Sequence, residues 1–221
     1  GADGYGAWSS PEVFTTAGFP CIQADLTTLD TFTFNQGTAG TDYYMPVNNF
    51  YNYTYTQQLI LASELNGAGI INGIEFQYGY SEPVTDKTNC TIYLANVSVN
   101  DLSSGFVPYN SSTFTCVYTG NLNGQTSNNG WTTFNFTTNF DYDGSSNLLV
   151  VVLDNSGSYM GSSHVWNHHG TTGTMGRYIN NDSNPYTISS VSGGTGVSYR
   201  TNMKLHTYGC ALYGTCAAPT V

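Results

Sequence analysis

The sequence predicts an all-β fold built as an antiparallel sandwich, on three observations. Short runs of alternating apolar and polar residues recur along the chain, turns rich in Asn, Gly and Ser divide them, and amphipathic helical periodicity is nearly absent, its one trace being Gln57 to Leu65. With 221 residues there is enough chain for one large β-domain with short attachments.

Residues 1–34, with Trp8 and Cys21 in a Gly/Thr-rich context, read as a lead-in or the end of a preceding domain. Tyr51, Tyr53 and Tyr55 alternate and would line one strand face, where ordinary packing competes with a stacking platform. Ile74, Phe76, Tyr78 and Tyr80 share a face in the next strand. In Cys90–Leu94 and Phe114–Tyr118 each cysteine has the parity of its apolar neighbours, so both thiols are expected to face a core, either paired or as two free thiols. Trp131 to Phe136 leads to a turn at Asp143-Gly144 and then to the apolar strand Leu148 to Leu153. Residues 154–187 interrupt the rhythm, as a functional loop or a poorly marked pair of short strands. In Tyr199 to His206, Met203 and Leu205 point one way, and Arg200, Asn202, Lys204 and His206 the other.

Composition narrows the partners. The formal charge is −10 with only Lys87, Arg177, Arg200 and Lys204 as cations, which removes the electrostatic term that nucleic-acid binding needs. Anionic membranes are equally poor partners, and no apolar run approaches the ~20 residues of a membrane span. The start at Gly1 reads as a mature or excised fragment. The five cysteines lack metal-ligand spacing; Cys210 and Cys216 could close a small loop, leaving Cys21 over. Low charge, possible disulfides and Asn/Thr/Ser richness point to a secreted or cell-surface setting.

The runs Met45 to Glu64, Gly69 to Tyr78 and Phe140 to Val152 resemble secreted surface modules related to the gingipain-type cleaved-adhesin domains. Tyr199 to Leu205 and Gly209-Cys210 look like the end of such a module, and Cys216 to Val221 like the start of a fibronectin type III neighbour. The resemblance covers roughly residues 35–210, with 211–221 as a linker. It implies a calcium-stabilised jelly roll within a multidomain secreted protein, and it selects no ligand.

The richest local constellation is Tyr159 to Tyr186. It holds Tyr159, His164, Trp166, His168, His169, Arg177, Tyr178 and Tyr186. Aromatic rings offer apolar surface to a sugar while His and Arg reach its hydroxyls, so these eight are the expected ligand-binding residues; the alternative is that Trp166 only anchors a loop. Exposure of Trp166 separates the two. His164 and His168 have a His-x-x-x-His spacing but no third ligand and no helix, which argues against zinc. Asp141, Asp143 and Asp154 flank one hairpin and, with Glu64, are the expected calcium ligands; a charged turn is the plainer reading. No paired carboxylates and no Gly-x-Ser-x-Gly elbow suggest an enzyme. The sequence therefore predicts a noncatalytic carbohydrate-binding module that targets a multidomain protein to a polysaccharide or glycoprotein glycan. The alternative is an adhesin or spacer that binds host protein or a neighbouring enzyme domain.

Overall fold

The computed structural model describes residues 29–34, 39–65, 67–123 and 130–208. Cys21, Cys210, Cys216, Trp8 and most of the expected lead-in and linker lie outside them.

Among the described residues the protein is all-β, with thirteen strands and two short 3-10 turns. A four-stranded antiparallel sheet holds β1 (Leu29–Phe34), β13 (Met203–Tyr208), β4 (Gly69–Gln77) and β7 (Trp131–Tyr142), in that order. A six-stranded sheet holds, in order, β11 (Thr195–Val197), β10 (Gly176–Asn181), β3 (Tyr53–Ile60), β8 (Asn147–Asp154), β5 (Cys90–Val97) and β6 (Phe114–Gly120). A small third sheet is ordered β12 (Tyr199–Thr201), β9 (Trp166–Gly170) and β2 (Ala39–Asp42). Every pairing is antiparallel. Leu29–Phe34 falls in the expected lead-in, yet it pairs along its whole length with β13 and so belongs to the sandwich.

The strand alternation fills two cores. Ile71, Ile74, Phe76, Phe134, Met203 and Leu205 from the four-stranded sheet meet Ile92, Leu94, Leu148, Val150 and Val152 from the six-stranded one. The intervening Leu149, Val151 and Leu153 point the other way, into a second cluster with Tyr55, Leu59, Leu102 and Met175. β8 is therefore buried on both faces, which is why it reads as an unbroken apolar run. Half-buried Phe106, Val107, Tyr109, Tyr186 and Ile188 cover that second cluster. Gln57 fixes part of the cover by exchanging hydrogen bonds of 2.8 Å with both backbone groups of Val107.

Several sequence expectations are met. Ile74, Phe76 and Tyr78 are buried together, and Asp143-Gly144 makes the β7–β8 turn, with Gly144 at φ +78° in the region that glycine favours. Tyr55 is a core ring, edge-on to Phe106 at 5.0 Å, and packing explains it. Others are corrected. Gln57 to Leu65 opens as strand through Ile60, and only Ala62–Glu64 turns helically, as one 3-10 turn. Residues 154–187 contain two strands, β9 and β10, so of the two readings of this segment the poorly marked pair of short strands is the one met. Cys90 and Cys116 are both free and lie on opposite faces of the six-stranded sheet. Cys90 is in the inter-sheet core, whereas Cys116 is exposed and pairs with Tyr93, whose ring packs against the outer cluster. Parity holds for Cys90 but fails for Cys116, because the register shifts at Val117: Phe114 lies in the outer cluster, Tyr118 packs on the inter-sheet core, and the Cys116 thiol is exposed rather than facing a core.

Candidate functional site: an aromatic surface run

The residues from Asp42 to Asn52 leave β2 and turn back into β3. Asp42 accepts from the Tyr44 N–H, Asn48 Oδ1 accepts from the Phe50 N–H at 2.9 Å, and Thr56 Oγ1 donates to Pro46 O at 2.8 Å. Met45 to Asn49 are buried by this turn, so the rings on either side of them are pushed outward. Tyr43, Tyr44, Phe50 and Tyr51 result, all wholly or partly exposed.

Two rings from elsewhere in the chain complete the surface. Tyr178 of β10 stacks on Tyr44 at 4.3 Å and 9°, and Tyr159 meets Phe50 at 6.4 Å and 66°. Between them Tyr44 contacts Tyr43 at 4.4 Å, Tyr43 contacts Phe50 at 5.8 Å, and Phe50 lies edge-on to Tyr51 at 5.5 Å. The rings form one continuous run. Phe50 and Tyr159 are its most open members, 42% and 58% exposed.

A buried cation joins the segments that carry these rings. Lys87 Nζ donates to Tyr51 O at 2.8 Å and to Ser158 O at 2.9 Å, and it pairs with Asp154 at 2.8 Å, with both side chains fully buried. The ammonium thus faces three oxygen atoms, two main-chain carbonyls to which it donates and the Asp154 carboxylate with which it forms an ion pair. Met160 N–H and Gly161 N–H bond Asn49 O, and Gly157 N–H bonds Asn52 O, so the 157–161 segment is tied to the 49–52 turn at several points.

At the other end, Tyr199 O–H donates to Asp42, and the His168 ring stacks on Tyr199 at 4.3 Å. Burial raises the Asp42 carboxyl against the opposing bonds from Tyr199 and Tyr44. Burial also raises the Tyr199 hydroxyl, and Asp42 adds to it, so Tyr199 stays a proton donor at neutral pH. Gly40 is needed here, because a Cβ on it would sit 2.5 Å from the His168 ring.

Only two of the eight expected ligand-binding residues, Tyr159 and Tyr178, lie in the run. Trp166 is completely buried, edge-on to Tyr78 at 5.1 Å and Phe76 at 6.4 Å, and has no face to offer a sugar. His164 is buried beside Tyr80. His169 is buried between Asn202, at 3.0 Å, and Arg200, at 3.3 Å, and burial lowers its pKa so that the ring is neutral at neutral pH. Burial also lowers His168. Arg177 clamps the outer cover by donating to the carbonyls of Leu102, Ser103, Gly193 and Gly194 at 2.8–2.9 Å. Tyr186 packs on the outer core. Of the polar side chains expected as ligand donors, Arg177 instead serves backbone carbonyls of the outer cover, and His169 is held by the side chains of Asn202 and Arg200.

The four expected calcium ligands occupy separate settings. Asp154 is held by Lys87, Glu64 makes a two-point pair with Arg200 at 2.5 and 2.9 Å, and Asp143 accepts from the Ser145 and Ser146 N–H groups of its own turn. Asp141 is exposed at the end of β7. The whole of β8 separates Asp143 from Asp154, about 24 Å at the rise of an antiparallel strand. Among the described residues no group of three or more His, Cys, Asp or Glu side chains is placed to hold a metal. The polar stripe expected on Tyr199 to His206 also divides, because the strand breaks at Asn202: Arg200 and Asn202 turn inward, whereas Lys204 and His206 pair with Glu75 at 3.2 and 2.8 Å.

Sequence reasoning missed Tyr43, Tyr44 and Phe50. The available signal was the pair Tyr43-Tyr44 and the run Asn48-Asn-Phe-Tyr-Asn52, aromatic residues among turn formers where no strand alternation accounts for them. No protein-family model matches the chain, and no curated protein matches it in sequence.

Proposed function

We propose that the protein is a noncatalytic, extracellular carbohydrate-binding module that holds a larger secreted or cell-surface protein on glycan, and that the aromatic run is its binding surface. The observation that carries this reading is the continuity of Tyr178, Tyr44, Tyr43, Phe50 and Tyr159 at the surface. Ring faces supply apolar area to sugar C–H groups, and the tyrosine hydroxyls supply hydrogen bonds. The strand order supports a jelly roll, since β3, β4, β5, then β6, β7, β8 pass between the two large sheets as two successive excursions. The resemblance to cleaved-adhesin-type modules fits the multidomain setting. A structural calcium forms no part of this reading, given the separate settings of the four carboxylates.

The test is retention by a panel of soluble and insoluble polysaccharides, with a Phe50→Ala/Tyr159→Ala double variant alongside. Retention of the wild type and its loss in the double variant are expected; retention by no glycan would sink the reading. The second reading, an adhesin or spacer whose rings bury against protein, is favoured by the burial of Trp166, the ring whose exposure was to argue for glycan. A protein partner lost with the same two substitutions, with no glycan retained, would establish it.

A further inference from the structure

The run of rings also limits the form of glycan it can take, and this inference rests on the carbohydrate reading above. Successive rings are not coplanar. Tyr44 and Tyr178 lie within 9° of parallel, but Tyr43 is turned 44° from Tyr44, Phe50 57° from Tyr43, and Tyr159 66° from Phe50. A flat crystalline polymer face can lie against only one of these planes at a time. A single flexible chain can turn its sugar faces from one ring to the next.

Charge narrows the ligand further. All four Lys and Arg residues of the chain are committed elsewhere: Lys87 to Asp154, Arg177 to loop carbonyls, Arg200 to Glu64 and Lys204 to Glu75. Near the rings stand Asp42, which bonds Tyr199, and Asp182, which accepts from the Asn52 N–H at 3.1 Å. A uronic or sulfated chain would meet carboxylates with no compensating cation. The rings are also open, which suits the flank of a chain better than an enclosed terminal sugar.

We infer that the surface takes one solvated, uncharged polysaccharide chain lengthwise, over several sugar units, and discriminates against crystalline polymer faces and acidic glycans. The experiment uses the whole chain with four sets of probes. They are soluble neutral polysaccharides (mixed-linkage β-glucan, xylan, galactomannan), matched oligosaccharides from disaccharide to hexasaccharide, microcrystalline cellulose and chitin, and polygalacturonate and heparin.

The expected result is binding to at least one soluble neutral chain. Affinity should rise about tenfold or more from disaccharide to hexasaccharide, equivalent to ~1.4 kcal/mol. Tyr159→Ala and Tyr43→Ala should each flatten the length dependence while leaving the melting temperature near that of the wild type. Ring-dependent binding to the crystalline or acidic probes alone, or an affinity already complete at the disaccharide, would overturn this inference and leave the carbohydrate reading standing. Absence of ring-dependent binding to every probe would overturn both.

Discussion

Trp166 and Tyr159 are close in sequence and at opposite extremes of exposure, 0% and 58%, and their substitutions should separate accordingly. Trp166→Ala empties a site enclosed by Tyr78 and Phe76 and should cost about 3–5 kcal/mol in urea unfolding. Tyr159→Ala should change stability by less than about 0.5 kcal/mol. Equal losses in the two variants would contradict these placements. Lys87 is the most consequential polar residue. Lys87→Met leaves Asp154 buried without its partner and frees the Tyr51 and Ser158 carbonyls, so a loss of about 3–5 kcal/mol is expected. Adding Asp154→Leu removes the orphaned charge and should recover part of that loss; a double variant no more stable than Lys87→Met would show that the pair's electrostatics are not what matters.

At the level of strands, legibility followed apolar content. β4, β7 and β8 were readable because burial on one or both faces imposes alternation or an unbroken apolar run. β9 and β10 were not. Their sequences, Trp-Asn-His-His-Gly and Gly-Arg-Tyr-Ile-Asn-Asn, keep polar side chains buried through bonds to Arg200, Asn202 and distant loop carbonyls, partners no local pattern reveals. The β5–β6 pair shows a related limit, since alternation read from sequence does not reveal the register shift at Val117 that puts Phe114 and Tyr118 on different sides of the strand. Mapping with a thiol reagent should label Cys116 in the native protein and Cys90 only after unfolding, as burial also pushes the Cys90 thiol well up; a peptide linking the two would refute the assignment. The turn after β3 carries a pH dependence. Burial pushes the Glu64 carboxyl up, but bonds from Arg200 and the Leu61 N–H outweigh it and hold the group below its ordinary 4.5. A depressed carboxyl contributes stability above its unfolded value and loses it as pH falls through the folded one. Glu64→Gln should therefore lower Tm at about pH 7 and much less at about pH 3. The same loss at both values would refute the linkage.

For the molecule as a whole, the sandwich was legible because it is a sum of local alternations. The aromatic run was not, because Tyr43 to Tyr51, Tyr159 and Tyr178 converge only when β3, β8 and β10 lie side by side. Binding that depends on ring contact and hydroxyls, on a surface with no free cation, should hold nearly constant from low salt to 1 M NaCl, where the Debye length is about 3 Å. A steep fall in retention would mean that charge drives it. Lys87 adds a property that neither sheet topology nor surface composition conveys. Two main-chain carbonyls and a carboxylate form the kind of oxygen cage that often receives a dissolved ion, but here the occupant is carried on the polypeptide itself. A tethered occupant is present at unit occupancy from the moment of folding. The spacing of Phe50 and Tyr159 that it fixes is thereby inherited with the sequence rather than supplied by the surrounding medium.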